Sequence, residues 1–218
     1  MKTFHQYTGF TLVEMIVSLG LFSVAVTISV GALLALIASN EQLQEEQIVL
    51  TNLSFALDSM TRELRTGTHY YCEVHPDSNG NTNIFNDGNN MDTQLGTQTQ
   101  DCANGNTNPS TNKVQGVSFI ESGDSISGAR SRVVYFYDQN QKKLFRRVSS
   151  GDALSLVSSD IDIREAEFFL TGSTPDTAPG GDLIQPTITI YMVAAESSDP
   201  LAKTYTVETT ITQRTLDI

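Results

Sequence analysis

The feature that most limits what this chain can become is an apolar run from Phe10 to Ala38 that holds one charged residue, Glu14. At about 1.5 Å per helical residue the run exceeds a bilayer core of roughly 30 Å. In lipid each backbone polar group must be paired inside the segment, so such a run is expected to be a helix. A secretory signal would have a shorter apolar core followed by a small-x-small cleavage site. Here Leu36 and Ala38 would take the key positions, a poor match, so the run is expected to be retained. Residues 1–9 carry Lys2, His5 and the amino terminus without an acidic residue. Positive charge ahead of an apolar run predicts a cytoplasmic leader, with the rest of the chain sent outward. A carboxylate at the depth of Glu14 is unfavourable unless something pairs with it.

From Glu41 the helical period continues in a more polar setting. Leu43, Leu50, Leu53, Leu57, Met60 and Leu64 recur at spacings of three, four or their multiples, with Glu41, Glu45, Thr51, Asp58 and Arg62 between them. No proline precedes Pro76. The pattern predicts one nearly continuous helix from about Thr11 to about Arg65, membrane-embedded over 10–38 and amphipathic over 39–66. Thr66-Gly67-Thr68 supplies the stop, with Gly67 suited to the position just past the helix end. The apolar stripe needs a cover, and the chain's own sheet is preferred over a partner helix. Gly20, Gly31 and the hydroxyl residues Ser18, Ser23, Thr27 and Ser29 leave two readings open: close helix contacts in the membrane, or neutrality in a helix that lipid already holds together.

Residues 67–218 read as an extracytoplasmic β-rich domain. Tryptophan is absent, and Ser, Thr, Asn and Gly are abundant from Thr66 onward. A polar stretch at about 77–112, with Asn-Gly, Asp-Gly and Asn-Pro dipeptides, is expected to form a tethered loop anchored in part by Ile84, Phe85, Met91 and Leu95. Strands are predicted at 114–120, 132–138, 143–149, 153–157, 163–170, 187–193 and 204–212, with a hairpin-like turn over Gln139–Lys142. Short strands separated by turns argue for an antiparallel meander laid on the amphipathic helix, an α+β chain. The polar stretch lies largely between Cys72 and Cys102; on an oxidising side of the membrane a disulfide is preferred, the alternative being two unpaired thiols. The net charge of −12 and the 13 scattered Lys and Arg residues argue against nucleic-acid binding.

The segment Gly9-Phe10-Thr11-Leu12-Val13-Glu14, preceded by a basic leader and followed by the apolar run, resembles the signature of type IV pilins and type II secretion pseudopilins. The resemblance implies a pilin-like fold, with a long N-terminal helix packed on an antiparallel sheet domain. It implies cleavage between Gly9 and Phe10 by a prepilin peptidase that also methylates the new amine of Phe10. It further implies assembly through Phe10 and Glu14, the amine of one subunit meeting the carboxylate of another. The partners implied are that peptidase, other pilin or pseudopilin subunits, an inner-membrane assembly platform, and membrane lipid before assembly. More weakly, Asn52–Arg65 resembles the helix end of minor pilins and J-type pseudopilins. One departure is Gly31, where many major pilins carry a proline.

His69, Cys72 and His75 suggest metal ligation, but no fourth ligand stands at a fixed spacing, and no cofactor is expected. Asp77, Asn79, Asn81, Asn83, Asp87 and Asp92 offer oxygens to calcium, yet Gly80 comes too early for an EF-hand, and a solvated loop is preferred. Asp160, Asp162, Glu165 and Glu167 alternate as on a solvated strand edge. The expected function is a minor structural subunit of a pilus or pseudopilus rather than an enzyme. The alternative is a membrane-anchored binding or adhesion module that does not polymerise.

Overall fold

The computed structural model describes residues 9–72, 95–103, 115–121, 132–174, 184–197 and 202–214. The chain divides into two compact units, 1–47 and 48–218. Helix α1, Leu12–Leu64, runs from the first unit into the second. It is followed by β1 (Thr68–Cys72), β2 (Gln115–Ile120), β3 (Arg132–Asp138), β4 (Lys143–Val148), β5 (Leu154–Ser155), β6 (Ile161–Thr171), β7 (Thr187–Glu196) and β8 (Tyr205–Thr212). The layout is α+β, as the periodicities indicate.

Between Met15 and Ala38 α1 carries no charged residue, and its large side chains from Leu12 to Ile37 are exposed. Within the second unit Val49, Leu53, Ala56, Met60 and Leu64 are buried on one face. Full burial of a side chain of the Leu or Met size contributes about 1.5–3 kcal/mol. This face differs from the predicted stripe, since Leu43 and Leu50 are exposed while Val49 and Ala56 are inside. The cause is helical drift: positions seven apart slip by about 20° per heptad. Along Leu50, Leu57 and Leu64 exposure therefore falls from 44% through partial burial to 0%.

The strands form two antiparallel sheets rather than one meander, with orders β1-β2-β3-β4-β5 and β6-β7-β8. β5 pairs only with β4, so the first sheet stops there and β6 starts a new one. Alternation sends Val117, Phe119, Val133, Tyr135, Tyr137 and Leu144 of the first sheet into one core. Phe168, Leu170, Ile188, Ile190, Met192 and Ile211 of the second sheet enter the same core, as does the buried face of α1. The opposite face of β3 carries Val134 and Phe136, which pack with Phe145 and Leu95 in a smaller cluster. Leu95 is thus a buried anchor; Ile84, Phe85 and Met91 lie outside the described residues.

Strand β1 escaped the prediction, and its entry explains why. Gly67 has no left-handed φ, so the helix does not end on it in the expected way. Glycine is needed there because an added Cβ would lie 2.4 Å from Cδ2 of Phe119. The left-handed residue is His69 (φ 52°), where the β1–β2 register shifts. The last carbonyls of α1 are paired from both sheets. Tyr70 shares its hydroxyl proton between Leu64 O (2.6 Å) and Gly67 O (2.7 Å). Gln213 Nε2 also donates to Gly67 O (2.8 Å), and the Arg214 amide donates to Arg65 O (2.7 Å).

Polar contacts join the remaining parts. Glu63 on α1 accepts from the Tyr135 hydroxyl (2.7 Å) and from Arg146 Nε (2.9 Å). Burial first, and the Glu63 hydrogen bond second, raise the Tyr135 pKa, so the phenol stays a donor. The Tyr137 hydroxyl donates to Ile163 O (2.9 Å) across the sheets, and burial is the main reason its pKa is pushed up to about 12. Lys143 donates to Ser158 O (3.1 Å), Ser159 O (3.0 Å) and Ile161 O.

Asp162 is buried near both lysines of this turn, 3.3 Å from Lys142 and 3.7 Å from Lys143. Burial alone would raise its pKa, but a hydrogen bond from Ser197 and the two lysines outweigh it and hold the carboxyl below its ordinary value. A lowered folded pKa adds stability that is complete above the unfolded value of about 4 and is lost as pH falls through the folded value. Asp162→Asn should therefore flatten the fall in urea midpoint of the full chain, in mild detergent, between roughly pH 6 and roughly pH 3. A variant with the same acid dependence as the native chain would contradict this.

Candidate processing and assembly site

The helix begins at a side-chain cap. The Glu14 amide donates to Thr11 Oγ1 (3.3 Å), and the Met15 amide donates to Thr11 O (3.2 Å). A free helix start has four orphan amides, and a threonine at the cap position satisfies one of them. Thr11-Leu12-Val13-Glu14 has the Thr-x-x-Glu spacing of a capping box. That spacing is a sequence signal for the helix start, additional to the apolar period from which a start near Thr11 is expected. Glu14 also stands in the first turn, where the helix dipole favours a carboxylate. Among the described residues, its carboxylate has no hydrogen bond or ion pair.

Thr11 fixes what lies ahead of the helix. Gly9 and Phe10 are outside α1 and exposed, Phe10 at 75%. The peptide bond between them is therefore not protected by helical hydrogen bonds, which suits an extended, accessible backbone.

Behind the cap, the hydroxyls of the apolar run pair with the helix's own carbonyls. Ser18 donates to Glu14 O (2.7 Å), Ser23 to Gly20 O, Thr27 to Ser23 O and Ser29 to Ala25 O (each 2.8 Å). These side chains therefore need no outside partner in a low-dielectric setting. A Cβ added at Gly20 or Gly31 would meet nothing within 4 Å. An 18-residue window of α1 has mean hydropathy 2.5, with none of it buried. One helix near the amino terminus is thus long and apolar enough to be a single membrane span.

The other residues singled out from sequence fall elsewhere. Cys72 and Cys102 are joined in a disulfide, with Cα atoms 5.9 Å apart, which removes Cys72 as a thiolate ligand. His75 and the Asp/Asn set from Asp77 to Asp92 lie outside the described residues. Among the described residues, no group of three or more His, Cys, Asp and Glu side chains is placed to hold a metal ion. Glu165 and Glu167 alternate with the buried Ala166 and Phe168 of β6, while Asp162 belongs to the lysine contacts above. Two residues of structural weight were missed. Arg132 is fully buried, and Asp101 accepts two backbone amides. Neither sits in a sequence pattern that announces these contacts.

No protein-family model, curated protein or solved structure matches this chain.

The cap makes a direct test available. Thr11→Val keeps the shape but removes the acceptor, and should destabilise the helix start by about 1 kcal/mol, whereas Thr11→Ser should not. Exchange of the Glu14 amide in detergent micelles reads this out; equal protection in the Val and Thr chains would exclude the cap.

Proposed function

We propose that this chain is a prepilin-like minor subunit with a type IV pilin-like fold. In this reading a prepilin peptidase cuts between Gly9 and Phe10 and methylates the Phe10 amine. The mature chain waits as a single-pass protein of the inner membrane, its β-domain outside the cytoplasm. An assembly platform then moves it into a type IV pilus or a type II secretion pseudopilus beside other pilin or pseudopilin subunits.

The observation that carries this reading is the juxtaposition at the helix start. An exposed Gly9–Phe10 bond lies just ahead of a capped helix whose apolar side chains are exposed from Leu12 to Ile37, and whose first turn holds a carboxylate unmatched among the described residues. A new amine at Phe10 supplies the charge that Glu14 lacks. In an apolar helix bundle the attraction between such a pair is strong, while an unpaired carboxylate is penalised. The apolar surface of α1 then passes from lipid to the helices of neighbouring subunits. Packing and satisfied polar groups, rather than release of water, would drive that exchange.

Glu14→Ala tests the reading. The variant should still be cut and should stay in the membrane, but should be lost from sheared filaments or from the cross-linked pseudopilus. Normal incorporation of Glu14→Ala subunits would sink the assembly role. A chain that is never cut and never joins a filament would favour a membrane-anchored binding module.

A further inference from the structure

Residues 95–102 bond to one edge strand of each sheet, β1 of the first and β6 of the second. On the β1 side the Gln100 amide donates to Tyr70 O (3.2 Å), and its carbonyl accepts from the Cys72 amide (3.0 Å). Two residues on, the Cys102 amide donates to Leu170 O (2.9 Å) and its carbonyl accepts from the Leu170 amide (3.4 Å). Between them, the Asp101 carboxylate accepts from the amides of Gly172 (3.0 Å) and Ser173 (2.9 Å), just past the end of β6. At the entrance, the buried Arg132 guanidinium donates to Gly96 O (3.2 Å) and Gln98 O (2.8 Å). The segment is thus a strap from edge to edge.

Its composition does not hold it there. Apart from Leu95 and Cys102, residues 95–102 are Gly, Gln, Thr and Asp, with little apolar surface to offset the entropy of ordering. The Cys72–Cys102 bond supplies what composition lacks, tying the strap's end to the end of β1. We infer that oxidation of Cys72 and Cys102 is the step that seats this strap across the β1 and β6 edges, a redox-dependent closure built into the fold. The reduced chain forms both meanders but leaves the strap unseated and the β1 and β6 edges open. An oxidant of the disulfide class is required. One cysteine thiolate attacks it to form a mixed disulfide, the second cysteine displaces the remaining thiol, and the oxidant departs as two thiols carrying both electrons and both protons. After closure the sulfurs are shielded, Cys72 at 0% and Cys102 at 4% exposure, so a reducing thiolate gains access only when the strap opens. The closed domain is then confined to an oxidising compartment during folding and persists afterwards. This inference stands apart from the filament reading.

The test is amide exchange on the full chain in mild detergent, comparing the native protein with Cys72→Ser/Cys102→Ser. Protection should fall at least about tenfold at 70–72, 96–102 and 168–173, with β2–β4 and β7–β8 keeping theirs. A fall of equal size in every strand, or no fall, would overturn the closure and leave the disulfide a uniform tether. Where the double variant loses all protection, Asp101→Ala with the disulfide intact decides. Faster reduction by a small thiol than in the native chain supports the strap, and an unchanged rate overturns it.

Discussion

The end of α1 is drawn into the protein interior, and a helix end there must have partners for its last carbonyls. Tyr70 pairs with Leu64 and Gly67, Gln213 with Gly67, and Arg214 with Arg65. Those partners come from the first strand of one sheet and from just past the last strand of the other. One local demand therefore brings distant parts of the chain to the same place. Glu63, held by Tyr135 and Arg146, adds a third hold from the middle of the first sheet. The apolar face from Val49 to Leu64 supplies most of the burial, and these polar contacts set its position.

The opposite end of the same helix is under the reverse condition. Its hydroxyls are satisfied by the helix's own carbonyls, yet its apolar surface is exposed all round. An apolar surface of this extent marks a membrane or protein interaction rather than solvent contact. The proposed life of the chain uses both environments in turn, lipid first and neighbouring helices later. Thr11 separates the helix from Gly9 and Phe10, so the proposed processing and helical order do not compete for the same residues.

Much of this was readable from the chain because hydrophobic period and side-chain direction are local. The helix, the hairpin turn over 139–142 and most strands followed from that period. The phase of the buried stripe did not, since leucines seven apart look like one face until the drift of a real helix is counted. β1 was hidden because Gly67 reads as a stop signal, while His69 bears the unusual backbone angle. The division into two sheets and the strap at 95–102 are tertiary. Polar residues such as Gln100 and Asp101 become structural only when two edges come within reach. At the candidate site, Gly9, Phe10 and Glu14 were legible as a motif, whereas the role of Thr11 required the geometry of its hydroxyl.

The intact mass of the mature protein, recovered from membranes that contain a prepilin peptidase, bears most directly on the central proposal. A chain that starts at Phe10 and carries one added methyl group on its amine is the expected result. A chain that still starts at Met1, or one cut at another bond, would contradict it.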